Sequence, residues 1–367
     1  VVLRELDPEF SKLFKVRADF EDAVLLTDDS ANGFARFVAS VCRERQLRHF
    51  TPSGVAALIE RGARMAGRQD EMSLRLDTFQ SMIIEADHWA RAEGNGSKLV
   101  DRRHVEHADA QARRRSSLFQ RRMLQAFSRK SLLISVHGEY VGQVNGLAVL
   151  GVGDILFGMP ARITAKTFVG EAGVVNIERE TELSGQIHSK ATLILNGYLG
   201  SMYARDRPLS LSASLTFEQN YSAVEGDSAS IAELVALLSS LSGLPVRQDL
   251  AITGSMSQHG EAQPIGGVNE KIEGFFRVCA EAGLTGTQGV LIPVQNVPDL
   301  NLDADVVAAM EAGRFAVYAV SQVGEALRLM LGRDAGVADS RGRWTPGSVH
   351  GLVAKRLSAM RSNIKRA

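Results

Sequence analysis

The chain has 367 residues, equal numbers of acidic and basic side chains (42 of each) and a hydrophobic fraction of 45%. Its length favours two domains rather than one. The balanced composition excludes a disordered chain and a protein that is basic throughout.

Cysteine usage and hydropathy indicate the compartment. Cys42 and Cys279 lie far apart and suit no metal-binding motif, so we expect no metal site and a reducing environment. No apolar run of about 18 residues occurs, and the N-terminus lacks the pattern of a secretion signal. We therefore expect a cytoplasmic protein without membrane contact and, because it begins at Val1, a piece of a longer protein.

The first third of the chain predicts helices. Residues 1–30 indicate an irregular or extended segment with a turn at Asp7-Pro8, and four helices are expected from Ala31 to about Met123. The second begins at Thr51-Pro52, and the third covers about Ser73 to Ala92 and ends at Gly94-Asn95-Gly96.

The fourth helix begins at Asp101 and is rich in arginine as far as Arg122. Basic residues on an exposed helix usually face water, and nucleic-acid contact is the alternative that we keep open.

From about Ser131 the pattern changes to short strands mixed with helices, which predicts an α+β domain. Strands are expected at 210–217, 250–253, 290–293 and 315–320, and a helix near 303–312. The last residues, 341–367, contain seven basic and no acidic side chains and predict a surface helix or a frayed tail.

A candidate nucleophile lies where an acidic, glycine-containing turn runs into a helical pattern. Ser228 follows Glu225-Gly226-Asp227 and precedes an apolar stripe that begins at Ile231. At a helix N-terminus the unpaired N–H groups and the helix dipole stabilise a forming oxyanion. The alternative is a serine that only caps the helix.

A candidate base follows the pair Gly266-Gly267. Lys271 is predicted in the first turn of a helix for which Asn269 is a suitable cap, and a cation is disfavoured at that end. A lysine held neutral there can accept the proton of a serine hydroxyl. Such a site predicts activity that rises with pH between about 7 and 9.

Two neighbouring residues have alternative roles. His259 is a rival base, although its surroundings predict a solvated turn. Asp227 either orients the lysine or caps the helix, and capping is the simpler interpretation.

Together these residues resemble a known family. Glu225-Gly226-Asp227-Ser228-Ala229-Ser230 and Pro264-Ile265-Gly266-Gly267-Val268-Asn269-Glu270-Lys271 resemble the proteolytic domain of the Lon proteases, in particular their B-type branch. Gly142–Val149 resembles an early strand of that domain, and Ile252-Thr253-Gly254 resembles a strand end whose threonine lines the active site.

The resemblance implies an organisation for the chain. Residues 1–125 would form an N-terminal extension and the four-helix small lid subdomain of an AAA+ ATPase, residues 126–330 an α+β Lon-type protease domain, and residues 331–367 a basic tail. Arg75 occupies the place of the lid arginine that senses nucleotide in the family; a solvated surface arginine is the alternative.

The resemblance also implies the function. Ser228 and Lys271 would form the catalytic dyad of a serine endopeptidase, Thr253 would bond to the lysine amine, and Asp227 would support the site. The implied partners are unfolded protein substrates and five further copies in a homo-hexamer, and the implied compartment is cytoplasmic.

Peptide hydrolysis itself would need no cofactor, whereas ATP and Mg²⁺ are implied for the whole protein. A phosphate-binding Gly-x-x-x-x-Gly-Lys-Ser/Thr loop is absent from the sequence. The alternative function is a non-catalytic module for ring assembly or nucleic-acid binding.

Overall fold

The computed structural model describes residues 2–16, 18–93, 98–153, 155–205 and 208–364. They form two compact units, Val1–Arg114 and Arg115–Ala367. The predicted helix break at Gly94-Asn95-Gly96 and the last basic residues, Lys365 and Arg366, lie outside the described residues.

The first unit consists mainly of helices joined by very short strands. Its elements are α1 (Val2–Leu6), α2 (Pro8–Leu13), β1 (Ala23–Leu25), α3 (Asp28–Glu44), β2 (His49–Phe50), α4 (Pro52–Ala66), β3 (Glu71–Ser73), α5 (Leu76–Ala92), β4 (Leu99–Val100) and α6 (Arg102–Ser116). β1 pairs antiparallel with β3, and β2 pairs parallel with β4.

The irregular or extended segment predicted for residues 1–30 is wrong for α1, α2 and the start of α3, and correct for the extended strand β1. Asp7-Pro8 begins α2 rather than a turn, because the Asp7 side chain accepts a hydrogen bond from the Glu9 N–H and proline suits the first helical position.

The lid-like helices enclose one apolar core. Phe34, Leu58, Phe79 and Ile83 are buried at its centre, at helical spacings on α3, α4 and α5. Thr51 caps α4 through a 3.1 Å bond from the Gly54 N–H, as expected of the Thr-Pro pair.

The predicted fourth helix is divided in the structure. α6 ends at Ser116, and α7 (Leu118–Ser128) belongs to the second unit, where Leu124 and Phe127 pack on an apolar core. The compact units divide at Arg114/Arg115, and the domain boundary predicted at residue 125 stays a prediction.

The second unit is an α+β domain with a mixed seven-stranded sheet in the order β15-β14-β11-β6-β7-β9-β8. The sheet strands are β6 (Gln143–Val152), β7 (Ile155–Phe168), β8 (Gly173–Asn176), β9 (Ser212–Phe217), β11 (Leu250–Ile252), β14 (Gly289–Pro293) and β15 (Ala316–Val320). β11 is central and pairs parallel with both β14 and β6.

The remaining elements of this unit are helices and four short strands. The helices are α8 (Ile177–Glu180), α9 (Gln186–Tyr203), α10 (Ser230–Ser242), α11 (Val268–Ala282), a 3₁₀ helix (Val294–Asp299), α12 (Ala304–Glu311), α13 (Val323–Leu331) and α14 (Val349–Ile364). The short strands are β5 (Glu139–Tyr140), β10 (Val246–Arg247), β12 (Ser255–Met256) and β13 (Ala262–Gln263).

Helix α10 lies in the middle of the larger apolar core of this unit. Residues on every side of it are buried, so this core surrounds the helix instead of covering one face. The helix thereby holds the turn before its N-terminus in a fixed position.

The helix predicted within residues 341–367 is present as α14, and it packs on the domain instead of forming a frayed tail. Val349, Val353, Leu357 and Met360 of α14 are buried in the same core as α10. These residues recur at helical spacing, so burial of one apolar face outweighs the basic character of the other.

Candidate active site

Ser228 lies in the turn that leads into α10. The turn is closed by the backbone N–H and the hydroxyl of Ser230, which both donate to the Asp227 carbonyl, at 3.0 and 2.8 Å. Gly226 adopts φ +90°, a conformation that a side chain would strain. Ala229 is the N-cap residue, so Ser228 lies just before the helix N-terminus, as predicted.

Lys271 is the fourth residue of α11. The helix begins after Gly267, whose φ of +68° and close contact with the Val149 side chain both require glycine. Lys271 is 3% exposed and is followed by the fully buried Ile272.

The structure brings these two side chains together with Thr253. Lys271 Nζ lies 2.8 Å from Ser228 Oγ and donates to Thr253 Oγ1 at 3.1 Å. The Thr253 hydroxyl donates in turn to the Ser228 carbonyl at 3.1 Å. The Gly254 N–H donates to the same carbonyl at 2.7 Å. The end of β11 therefore holds both the backbone of the serine and the amine of the lysine.

Burial lowers the pKa of Lys271 to about 8, against the opposing effect of the Asp227 carboxylate. Desolvation prevails because the ammonium group loses water that two hydroxyl oxygens replace only in part. At pH 7 about a tenth of such lysines are neutral, compared with about one in three thousand at the ordinary pKa.

The structure contradicts the capping role expected of Asp227. No side-chain cap bond is formed at the N-terminus of α10, and the Asp227 carboxylate accepts the hydroxyl of Ser255 at 2.8 Å instead. Ser255 lies just beyond β11, so this bond fixes the turn to the same strand end. No role was predicted for Ser255 from the sequence.

Gly158 and Gly274, for which no role was predicted from the sequence, allow β7 to pass directly against α11. A Cβ atom on Gly158 would collide with the backbone of Glu270, and one on Gly274 would collide with the backbone of Gly158. This contact sets the position of the helix turn that carries Lys271. Their signal in the sequence is weak, because the two glycines lie far apart and belong to no shared motif.

Other predicted residues lie elsewhere. Asn269 is inside α11 rather than at its cap, and its buried amide bonds to the Asp299 carbonyl and the Asn301 N–H. Gly267 takes the N-cap position because the chain needs a left-handed residue there. His259 is exposed in the turn between β12 and β13. The partner of Ser228 is Lys271.

Arg75 belongs to the first unit. It is the residue immediately before α5, and its side chain is exposed. Its role in nucleotide sensing stays a prediction.

The described part of the chain has neither a candidate metal centre nor a candidate membrane-spanning helix. It contains no group of three or more His, Cys, Asp or Glu side chains arranged to hold a metal ion. None of its helices combines the length and the apolar character needed to cross a membrane.

Comparison with protein families gives two matches. Residues 49–115 match the AAA+ ATPase LID domain of archaeal LonB, and residues 220–333 match the C-terminal proteolytic domain of Lon protease (S16). The second match contains Ser228, Thr253 and Lys271.

Curated relatives match over most of the chain. A Lon protease homolog of Escherichia coli (strain K12) is 37% identical over 337 residues, which are 89% of this chain and 56% of the relative. A Lon protease homolog of Haemophilus influenzae is 42% identical over 207 residues, 56% of this chain and 34% of that protein. The archaeal Lon protease of Archaeoglobus fulgidus is 32% identical over 307 residues, 83% of this chain and 46% of that protein. The chain thus spans between about a third and just over half of the length of these relatives.

Proposed function

Because the chain belongs to the Lon protease family, with a LID domain and a C-terminal proteolytic domain, we propose that it is a B-type serine endopeptidase. Ser228 is the nucleophile and Lys271 the general base of a Ser-Lys dyad. The observation that carries this proposal is the 2.8 Å separation of Nζ and Oγ in a site where burial lowers the pKa of the lysine to about 8.

In the proposed reaction, neutral Lys271 takes the proton of the Ser228 hydroxyl while Oγ attacks the carbonyl carbon of the peptide bond. The resulting ammonium then gives the proton to the departing amine, which leaves an acyl-enzyme. A water molecule, deprotonated by the same amine, releases the acyl group. Thr253 keeps Nζ directed towards Oγ throughout, through its 3.1 Å bond.

The oxyanion of the intermediate would form at the N-terminus of α10. The N–H groups of Ser230 and Ile231 are already bonded to the carbonyls of Asp227 and Gly254. Among the described residues, no acceptor is bonded to the N–H groups of Ser228 and Ala229. These two groups, aided by the helix dipole, are the proposed donors to the oxyanion.

The whole protein is proposed to degrade unfolded protein segments as a homo-hexamer in the cytoplasm. The chain has no phosphate-binding loop, so ATP and Mg²⁺ would act on an ATPase module outside these 367 residues. Arg75 is the residue proposed to sense the nucleotide. The free, buried Cys42 and Cys279 are compatible with a reducing compartment. No observation favours the alternative of a non-catalytic module for ring assembly or nucleic-acid binding.

The direct test is covalent labelling with a serine-reactive phosphonate, combined with cleavage of an unfolded protein substrate. The unmodified chain and Ser222→Ala, which alters an exposed serine, are expected to label and cleave. Ser228→Ala should do neither. Lys271→Arg should lose at least a hundredfold in cleavage because arginine stays protonated. Labelling that persists in Ser228→Ala would refute the assignment of the nucleophile.

A further inference from the structure

A buried polar cluster lies behind the turn that carries Ser228. Asn176, Glu178, His188 and Glu233 are between 1% and 3% exposed, and they come from the end of β8 and from α8, α9 and α10. Glu233 is the one charged side chain on α10 and lies in its first turn, five residues after the nucleophile. The proposed chemistry uses none of these four residues.

Hydrogen bonds fix the orientation of the Asn176 amide and the tautomer of a neutral His188 ring. The Arg179 N–H donates to Asn176 Oδ1 at 3.1 Å, so the Asn176 amide group must point its N–H₂ the other way. That group lies 3.2 Å from His188 Nε2 and donates to Glu233 Oε1 at 3.3 Å. Nε2 therefore accepts a hydrogen bond, and the proton of the neutral ring is on Nδ1. The backbone of Gly226, two residues before Ser228, lies close enough to the His188 ring to raise its pKa, against the larger effect of burial.

The charges around the pair favour a protonated carboxyl. His188 Nε2 and Glu233 Oε1 face each other at 3.6 Å. The charged groups that act on them are the carboxylates of Glu178 on α8 and Glu225 in the turn. Burial and the Glu178 carboxylate raise the pKa of Glu233 to about 8. Burial lowers the pKa of His188. At pH 7 both side chains of the pair are therefore uncharged.

The same turn is also bonded to the start of α9, the helix that carries His188. The Gly185 N–H donates to the Val224 carbonyl at 2.8 Å. Glu225 Oε1 accepts the N–H groups of Ile187 and Gly226, both at 3.1 Å. A shift of His188 would therefore be transmitted to the backbone beside Ser228.

We propose that His188 and Glu233 are positioning residues for the nucleophile, and that ionisation of Glu233 disturbs the turn from Gly226 to Ser228. With Glu233 protonated, the Asn176 amide links the two side chains and His188 supports the turn. An ionised Glu233 would place a second carboxylate beside Glu178 in a site closed to water, where a buried charge without a cationic partner is costly. The cluster must then rearrange. This inference depends on the proposed peptidase activity.

The consequence is a second limb in the pH profile. Deprotonation of Lys271 makes the rate rise with pH, whereas deprotonation of Glu233 makes it fall, so the rate should pass through a maximum near pH 8. A group with this pKa is protonated in about a tenth of the molecules at pH 9. Removing its titration should then raise the rate at pH 9 by up to about tenfold.

The test is kcat for cleavage of a fluorogenic peptide from pH 6 to 10 by the 367-residue chain. Glu233→Gln keeps an acceptor for the Asn176 amide but cannot ionise, so it is expected to lose the falling limb and keep the rising one. Glu311→Gln, which alters an exposed carboxylate, should keep both limbs. If Glu233→Gln does not fold, Glu233→Met, which also cannot ionise, is measured against the same expectation. A falling limb that persists unchanged in the variant would overturn the inference, because Glu233 would then not cause the fall in rate. A purely structural residue would leave the shape of the pH profile unchanged.

Phosphonate labelling at pH 8 separates this inference from the proposed function. If the unmodified chain neither labels at Ser228 nor cleaves, the proposed function fails. If it labels and cleaves, and Glu233→Gln retains the falling limb, only the positioning role fails.

Discussion

Replacing Lys271 by methionine is expected to abolish peptide cleavage and to stabilise the fold at neutral pH. Methionine has a similar length and no proton to titrate, so it removes the base without emptying the site. Lys271 is buried, and its pKa of about 8 lies well below the ordinary value of 10.5. This separation corresponds to about 3 kcal/mol.

The direction of the pH dependence follows from the pH at which the folded and the unfolded chain each lose the proton of Lys271. Between about pH 8 and 10.5 the unfolded chain keeps a proton on this lysine that the folded protein has lost, so the free energy of unfolding rises with pH in that window. Below about pH 8 both states hold the proton, and the folded protein bears the full cost of a buried ammonium. The variant also loses the hydrogen bonds of the lysine amine to Ser228 and Thr253. Each lost bond reduces the gain in stability by about 1 kcal/mol. The net gain for Lys271→Met at pH 7 is therefore about 1 kcal/mol.

Urea unfolding at pH 7 and pH 10 measures this difference. Lys271→Met should be more stable than the unmodified chain at pH 7, and it should lose that advantage by pH 10. Lys355→Met, which alters an exposed lysine of α14, is the matched control and should show no such pH dependence. Equal destabilisation by Lys271→Met at both pH values would refute a depressed pKa at this site, and with it the physical basis of the proposed base.

Other predictions concern the supports of the site and its assembly. Asp227→Asn removes a carboxylate that raises the pKa of Lys271, so the rising limb of the pH–rate profile should move to lower pH; a move to higher pH would contradict this. Gly274→Ala places a Cβ atom against the backbone of Gly158, so it should lower the free energy of unfolding by about 1 to 3 kcal/mol and reduce activity. In the control Gly266→Ala the new Cβ atom meets no other atom, and this variant should unfold at the same urea concentration as the unmodified chain. Peptide cleavage by this chain should be indifferent to added ATP because the sequence has no phosphate-binding loop; clear stimulation would argue against that. Sedimentation should show a concentration-dependent mixture of monomer and hexamer, and a species that stays dimeric at all concentrations would exclude it.

Local patterns predicted much of the fold correctly. The strand at 212–217 alternates polar and apolar residues, and the turn before Ser228 combines glycine with a helical stripe, so both can be identified within a few residues. The Ser228–Lys271 pair was identified because two separate sequence motifs agree with those of the Lon proteases in content and in spacing. The two motifs together predict that Ser228 and Lys271 are close in the fold, which neither motif predicts alone.

Long-range packing explains what was missed. The approach of Gly158 to Gly274 depends on how β7 crosses α11, and nothing within either segment indicates it. Glu233 resembles an ordinary solvent-facing residue of an amphipathic helix until α10 is found to be buried on all sides. The basic residues of the C-terminal segment suggested exposure, whereas its apolar spacing, with Val349 and Val353 among the buried residues, indicated the packed helix that forms.

The geometry of the site depends on one strand end more than on α10 or α11. Thr253 and Gly254 directly follow β11, and their hydrogen bonds reach the Ser228 carbonyl from two sides while Thr253 also holds the lysine amine. Because β11 is paired on both edges, this strand end cannot move without disturbing the sheet. The separation of Nζ and Oγ is therefore fixed by backbone pairing before any substrate binds. This arrangement lets a lysine desolvated at a cost of about 3 kcal/mol remain aligned with its serine.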